Sequence, residues 1–371
     1  MALRVLVADD SALFRRAITE ALGEIADVEV VGSAPNGKIA IQKVRELHPD
    51  LLTLDIEMPE MDGLAVLDAL KQSGDTTSVM VISAVTLRGG RLTMQALEKG
   101  AFDFITKPQG KNAAESKAMI VGELAPRLRA LAHRRQIRGI LRPGSLGTPP
   151  AAPPPRSSPT SEPVRPAKEN PTRLLGKPPE LVLIGVSTGG PAALARLLPH
   201  IPKDIGAPIV VVQHMPPVFT QSLAESLAGK CSLRVREAAD GDRVEPGLVL
   251  IAPGGRQLRL VAGADGQARA QITDDPPENN CRPAVDYLFR SAANNFPGRA
   301  MAVILTGMGS DGTLGLRLLR RHGCFTIAQD EATSIVYGMP KAAVEAGVVD
   351  VVLPLDAIAA RIHATVRGRG S

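Results

Sequence analysis

Aromatic side chains are nearly missing: seven Phe, two Tyr and no Trp in 371 residues. Surfaces that stack unpaired bases are therefore poorly supplied, and single-stranded nucleic acid is an unpromising partner. Cysteine is equally scarce. Cys231, Cys281 and Cys324 are too few and too far apart for a disulfide framework or a zinc cluster, so buried structural thiols are expected. No apolar run approaches the ~18 residues of a membrane span, and the N-terminal MALRVLVADD meets two acids where a signal peptide would still be apolar. A cytoplasmic protein without membrane insertion is expected. A field of one sign is lacking too, although the net charge is +5. Residues 1–125 carry 13 Lys and Arg against 18 Asp and Glu, residues 126–180 carry 11 against 3, and residues 181–371 carry 19 against 17. The basicity belongs to the middle, and no basic recognition helix stands out beyond it.

What is present is enough apolar matter for real cores, with 44% hydrophobic and 22% charged residues, so a wholly disordered chain is excluded. The length predicts two or three domains. Between Leu141 and Glu180 there are twelve prolines in forty residues, among them Pro149-Pro150 and Pro153-Pro154-Pro155. Such a segment buries little and reads as an extended tether. Ahead of it, PRLRALAHRRQIRGILR keeps apolar residues at near-helical spacing, which predicts a helical extension ending near Arg142. The division is therefore a first domain over 1–125, a helical extension and proline-rich basic linker over 126–178, and a second domain over 179–371.

The first domain alternates short aliphatic runs (RVLVAD, VEVVGSA, LLTLDI, VMVISA, DFIT) with amphipathic segments. This is the pattern of a parallel sheet covered on both faces, whose ligands sit at the carboxyl ends of the strands. Asp9 and Asp10 close the first strand, Asp55 the third, and Lys107 before Pro108 the fifth. Carboxylates gathered at one edge repel unless a divalent cation and a lysine compensate. Mg²⁺ suits them and leaves room for a phosphoryl group, which one carboxylate can accept as an acyl phosphate. A cation site without phosphoryl chemistry, or plain solvated loop acids, fit the same residues.

These motifs resemble the receiver domain of two-component response regulators: paired Asp9 and Asp10, Asp55 in LDIEMPEMDG, Ser83 in VISA and Lys107 in the lysine-proline turn. The resemblance implies a flavodoxin-like fold with Asp55 as phosphoacceptor. It implies that Asp10, Asp55 and the Glu57 carbonyl ligate Mg²⁺ with Asp9 nearby, and that Ser83, Phe104 and Lys107 form the switch. A histidine kinase would be the phosphodonor.

In the second domain, LVLIGVSTGGPAALARLLPHI reads as a buried strand, a sharp glycine turn and a helix, with Ser187 in G-x-S-x-G spacing. Alone this is weak, because a glycine-rich phosphate turn has the same shape; the dinucleotide fingerprint G-x-G-x-x-G is missing. The next strand, APIVVVQHMPPVF, ends in His214, and AMAVILTGMGSDG leads to Asp311. A serine, a histidine and an aspartate at the tips of parallel strands of one sheet form an activated-serine triad. The order Ser, His, Asp differs from that of the common α/β-hydrolases and argues for another scaffold.

With IGVSTGGP, VVVQHMP, PGLVLIAPGGRQL, CRPAVDYLFRS, VILTGMGSDG and QDEATSIVYGMP, this domain is similar to the catalytic domain of the chemotaxis protein-glutamate methylesterase and glutamine deamidase family. The resemblance implies a Rossmann-like methylesterase domain without a cofactor, acting on γ-glutamyl methyl esters and glutamines of methyl-accepting chemoreceptors. Ser187 would be the nucleophile, His214 the base and Asp311 its orienter, with the N–H groups of Thr188 and Met308 as oxyanion donors. Gln257 and Cys281 depart from the histidines expected there in many relatives, which bears on substrate recognition or rate. Two other readings stay open: a related serine esterase or amidase of a parallel chemosensory-like pathway, and a receiver-linked binding protein without catalysis.

Overall fold

The computed structural model describes residues 2–108, 110, 112–140 and 177–368. The expected proline-rich tether lies outside these residues. The first five strands are β1 (Leu3–Ala8), β2 (Val28–Ala34), β3 (Leu51–Asp55), β4 (Ser78–Ser83) and β5 (Asp103–Thr106). They form a parallel sheet in the order β2-β1-β3-β4-β5, the doubly wound arrangement with its switch point between β1 and β3. Between them run α1 (Ala12–Gly23), α2 (Gly37–Leu47), α3 (Gly63–Gln72) and α4 (Leu87–Glu98), and α5 (Ala113–Ile140) follows. Each of the first four helices starts on a side chain that accepts a backbone N–H: Ser11, Asn36, Asp62 and Thr86. Such caps satisfy donors that the first helical turn leaves open. The last helix continues through Pro126 to Ile140.

The second sheet contains β6 (Leu181–Val186), β7 (Ile209–Gln213), β8 (Arg234–Glu237), β9 (Leu248–Ile251), β12 (Ala300–Ile304), β13 (Phe325–Gln329) and β14 (Val351–Leu353). Its order is β14-β13-β12-β6-β7-β9-β8, again parallel throughout. An antiparallel pair, β10 (Gln257–Ala262) and β11 (Ala268–Thr273), stands beside it. Helices α6 (Gly190–Leu197), α7 (Phe219–Ala228), α8 (Val285–Asn295), α9 (Thr313–Arg321), α10 (Met339–Glu345) and α11 (Leu355–Val366) cover the faces. The all-parallel α/β architecture expected from the alternating pattern is thus present in both domains. Strands buried on both faces explain the unbroken aliphatic runs of β6, β7 and β12.

One apolar cluster packs β10, β11, α8 and α9 on one face of the second sheet and stays within that domain. On its other face, the core around Phe219, Leu223 and Leu227 is continuous with the first-domain core around Met94, Leu97 and Phe104. A third cluster joins α1 and α5 of the first domain to Met308, Ile335 and Val336 of the second.

Candidate active site

The first-domain acids meet at the switch point. Asp9, buried, and Asp10, exposed, follow β1, and Asp55 ends β3; an oxygen from each lies within 4.8 Å of the others. Lys107 reaches in from the end of β5, with Nζ 2.7 Å from Asp55 Oδ2 and 3.1 Å from Asp9 Oδ2. Burial pushes the Asp55 carboxyl up, and Lys107 only partly offsets it. Burial pulls Lys107 down, but Asp55 and Asp9 together outweigh that and hold the ammonium charged. Asp9 Oδ2 is buried yet accepts no well-directed hydrogen bond, its contact with Lys107 being ionic only. An orphaned carboxylate oxygen beside two further acids is a donor set for a hard cation, and Mg²⁺ fits it. Glu57 lies just past β3, its side chain paired with Arg88. The Ser83 hydroxyl, at the end of β4, points at the Gly89 carbonyl 3.3 Å away.

In the second domain, Ser187 follows β6, His214 follows β7 and Asp311 follows β12, so adjacent strands of one sheet present all three at one edge. The close turn around Ser187 needs glycine. A Cβ on Gly307 would stand 2.7 Å from the Ser187 Cβ, and one on Gly190 would stand 1.9 Å from Gln213 Oε1. The helices beside this edge begin differently from those of the first domain. Gly189 before α6 and Gly312 before α9 adopt positive φ and provide no capping side chain. At α9 the Gly315 N–H is taken by Asp286, and at α6 the Gly190 N–H by the Ser187 carbonyl. The N–H groups of Thr188 and Met308 make no backbone hydrogen bond among the described residues.

Asp311 is buried and fully engaged. It accepts from the N–H groups of Val285, Asp286 and Gly312, from Asn279 Nδ2 at 2.9 Å, and from His214 Nε2 at 2.8 Å. Burial would raise its pKa, but His214 and the N–H groups hold it below the usual range. Because a carboxylate only accepts, Nε2 carries the proton and Nδ1 is the basic nitrogen. Burial lowers the His214 pKa, yet the bonds to Asp311 and Cys281 win and push it up to about 9. Asp286, buried beside Asp311, is pushed up to about 6. Asn279 donates to both carboxylates.

Sequence reasoning placed Cys281 outside the reacting groups, as one of three structural thiols; the structure places it against His214. Its Sγ lies 3.5 Å from His214 Nδ1, and the residue is only half-buried. No signal along the chain marks this contact, or Asn279, because both sit in a loop joined to the triad only by folding. The other departure, Gln257, is buried outside the cavity and bonds Pro276, Cys281 and Ala284 of the backbone, fixing that loop. Ser187 makes no hydrogen bond to His214 among the described residues.

A cavity of about 590 Å³ opens on Ser187, Thr188, His214, Cys281 and Met308, and its opposite wall is first-domain: Asp103, Phe104, Thr106, Pro126 and Arg127. Asp103 pairs with Arg127 at 3.0 Å and receives the Thr188 side chain, next to the nucleophile. Nearby, Phe104 stacks on Phe219 with ring centroids 4.7 Å apart.

Residues 182–362 match the family model described as CheB methylesterase, and residues 5–118 match that of the response regulator receiver domain. The chain is 50% identical to a protein-glutamate methylesterase/protein-glutamine glutaminase of Desulfotalea psychrophila, with 98% of this chain and 99% of the relative covered. It is 43% identical to a protein of the same name from Trichodesmium erythraeum, with 97% of each covered. Among solved structures it resembles the Thermotoga maritima CheB methylesterase catalytic domain at 46% identity and a TM-score of 0.49, covering 50% of this chain and 97% of that one.

Proposed function

The chain belongs to the protein-glutamate methylesterase/protein-glutamine glutaminase family, and from that premise we propose that Ser187, His214 and Asp311 hydrolyse γ-glutamyl methyl esters of chemoreceptors. The observation that carries this is the His214–Asp311 bond at the sheet edge that also presents Ser187. Asp311 fixes the tautomer that leaves Nδ1 free to accept a proton. Ser187 Oγ attacks the ester carbonyl, and its proton passes to His214 Nδ1. The oxyanion falls to the N–H groups of Thr188 and Met308. Collapse expels methoxide, which takes the proton from His214 and leaves as methanol. Water, deprotonated by the same nitrogen, then cleaves the acyl-enzyme to give glutamate and restores Ser187. With a glutamine side chain the leaving group is ammonia, and the remaining steps are unchanged.

The receiver controls this reaction. Asp55 is the phosphoacceptor, with a histidine kinase as donor in the cytoplasm. Asp10, Asp55 and the Glu57 carbonyl, with Asp9 beside them, would hold Mg²⁺, which would supply neutralisation of charge on an incoming phosphoryl group. Lys107 pairs with the new dianion, and Ser83 leaves Gly89 to bond its oxygens while Phe104 changes rotamer. Because Phe104 stacks on Phe219 and its neighbours wall the cavity, that change loosens the lid over Ser187. The triad residues come from one sheet and need no help to assemble, so phosphorylation uncovers a built site.

Methanol release from methyl-labelled receptors, with and without a small phosphodonor, tests the reading. Ser187→Ala should cut release at least about a thousandfold, His214→Ala comparably and Asp311→Ala less. Near-normal release from Ser187→Ala would overturn the triad. Asp55→Ala should take no label from acetyl phosphate and lose stimulation, and Asp10→Ala should label poorly; label elsewhere, or without divalent cation, would overturn the phosphoacceptor site.

A further inference from the structure

We propose that Cys281 and His214 form a binding site for a thiophilic divalent cation, Zn²⁺ above all, on the wall of the catalytic cavity. The thiol and the imidazole present Sγ and Nδ1 to each other across 3.5 Å. A tetrahedral ion with bonds of about 2.3 Å to sulfur and 2.0 Å to nitrogen holds two such ligands about 3.5 Å apart. The separation therefore matches that of two ligands of one ion.

The support behind the imidazole is also that of a metal ligand. His214 Nε2 is held at 2.8 Å by Asp311, itself fixed by backbone N–H groups and Asn279. A carboxylate on the far nitrogen fixes the ring and raises the basicity of the near one. A thiolate with an imidazole selects soft and borderline cations, unlike the all-oxygen cluster of the first domain. Cys281 and His214 both line the 590 Å³ cavity, which leaves the remaining coordination positions to water. Cys231 and Cys324 do not line it. Binding displaces the Cys281 thiol proton to solvent as the sulfur–metal bond forms and, below about pH 9, the Nδ1 proton of His214 as well.

The bound ion takes the Nδ1 lone pair that would accept the Ser187 proton, so hydrolysis stops while it is there; this consequence rests on the function proposed above. Cd²⁺, whose bond to thiolate gives an ultraviolet charge-transfer band, serves as the probe on the full-length protein. The band should saturate at one equivalent in the parent and in Cys231→Ser. In Cys281→Ser and Cys281→Ala it should vanish, and in His214→Ala it should need at least about tenfold more Cd²⁺. Zn²⁺ should suppress methanol release from the parent, reversibly on adding chelator. Unchanged Cd²⁺ titrations in both Cys281 variants, or loss of the band in Cys231→Ser, would overturn the site. The band with hydrolysis intact under saturating Zn²⁺ would uphold the site and overturn His214 as the base.

Discussion

At the scale of single residues, the state of His214 decides the reaction. In the proposed reaction its neutral ring is the base, and against burial Asp311 and Cys281 together push its pKa up to about 9. Two pH units below such a midpoint only about one ring in a hundred is neutral. In chelator-treated buffer, methanol release by the unphosphorylated protein should therefore rise with pH up to a midpoint near 9. Cys281→Ala should shift that midpoint down, because it removes one of the groups that raise the pKa. An unmoved midpoint would show that the thiol contact does not tune the base. Stability carries the opposite sign. The folded pKa lies above the ~6.5 of an unfolded histidine, so the His214 contribution is complete below that value and disappears as pH rises through about 9. Urea midpoints should converge between the parent and His214→Ala over that window. Ser187 and His214 stood out in the chain because each follows an aliphatic run directly, and Asp311 because it lies in the glycine-rich loop after another. Asn279 and Cys281 did not: they lie in a loop without periodicity, Asn279 at positive φ, and Cys281 meets a partner 67 residues away.

At the scale of elements, α4 against α7 is one of the contacts that join the two domains. The ion pair Arg91–Glu225 is largely solvent-accessible and Lys230–Glu98 about one-third so, and such pairs contribute about 0–1 kcal/mol each. Close apolar packing contributes more, and it passes over Gly90, where an added Cβ would stand 2.5 Å from Ser222 Oγ. Gly90 has ordinary helical backbone and leucine favours helices, so Gly90→Leu strains the interface and not the helix. It should raise methanol release by the unphosphorylated protein by up to about tenfold, the factor that ~1.4 kcal/mol of lost docking energy gives. A fall in rate would mean that the contact assists catalysis. The first-domain strands and β6, β7 and β12 follow from aliphatic runs; the capping roles of Ser11, Asn36, Asp62 and Thr86 were not read from the chain. Nor was the stacking of Phe104 on Phe219, because each phenylalanine reads alone as core of its own domain.

At the scale of the whole molecule, the first domain either restrains the second or completes it. The second domain has a sheet of seven parallel strands and an apolar cluster built only from its own residues. Every group assigned to the hydrolysis lies on it. What the first domain adds is a wall: Asp103, Phe104 and Arg127 face Ser187 and His214 across the cavity. Removing a wall costs no catalytic group, whereas receptor helices need the space that it occupies. The fragment from Pro178 onward should accordingly release methanol faster than unphosphorylated full-length protein. It should also unfold at lower temperature, since Phe219, Ile335 and Val336 lose the residues packed on them. If phosphorylation only uncovers the site, the full-length rate with phosphodonor should approach that of the fragment and not exceed it. Each new dianion shifts a two-state equilibrium by its differential energy alone, so a docking energy of a few kcal/mol caps the stimulation. Initial rates for fragment, parent and parent with acetyl phosphate decide the matter. A fragment slower than the unphosphorylated parent, or a phosphorylated parent clearly faster than the fragment, would show that the receiver supplies part of the active site.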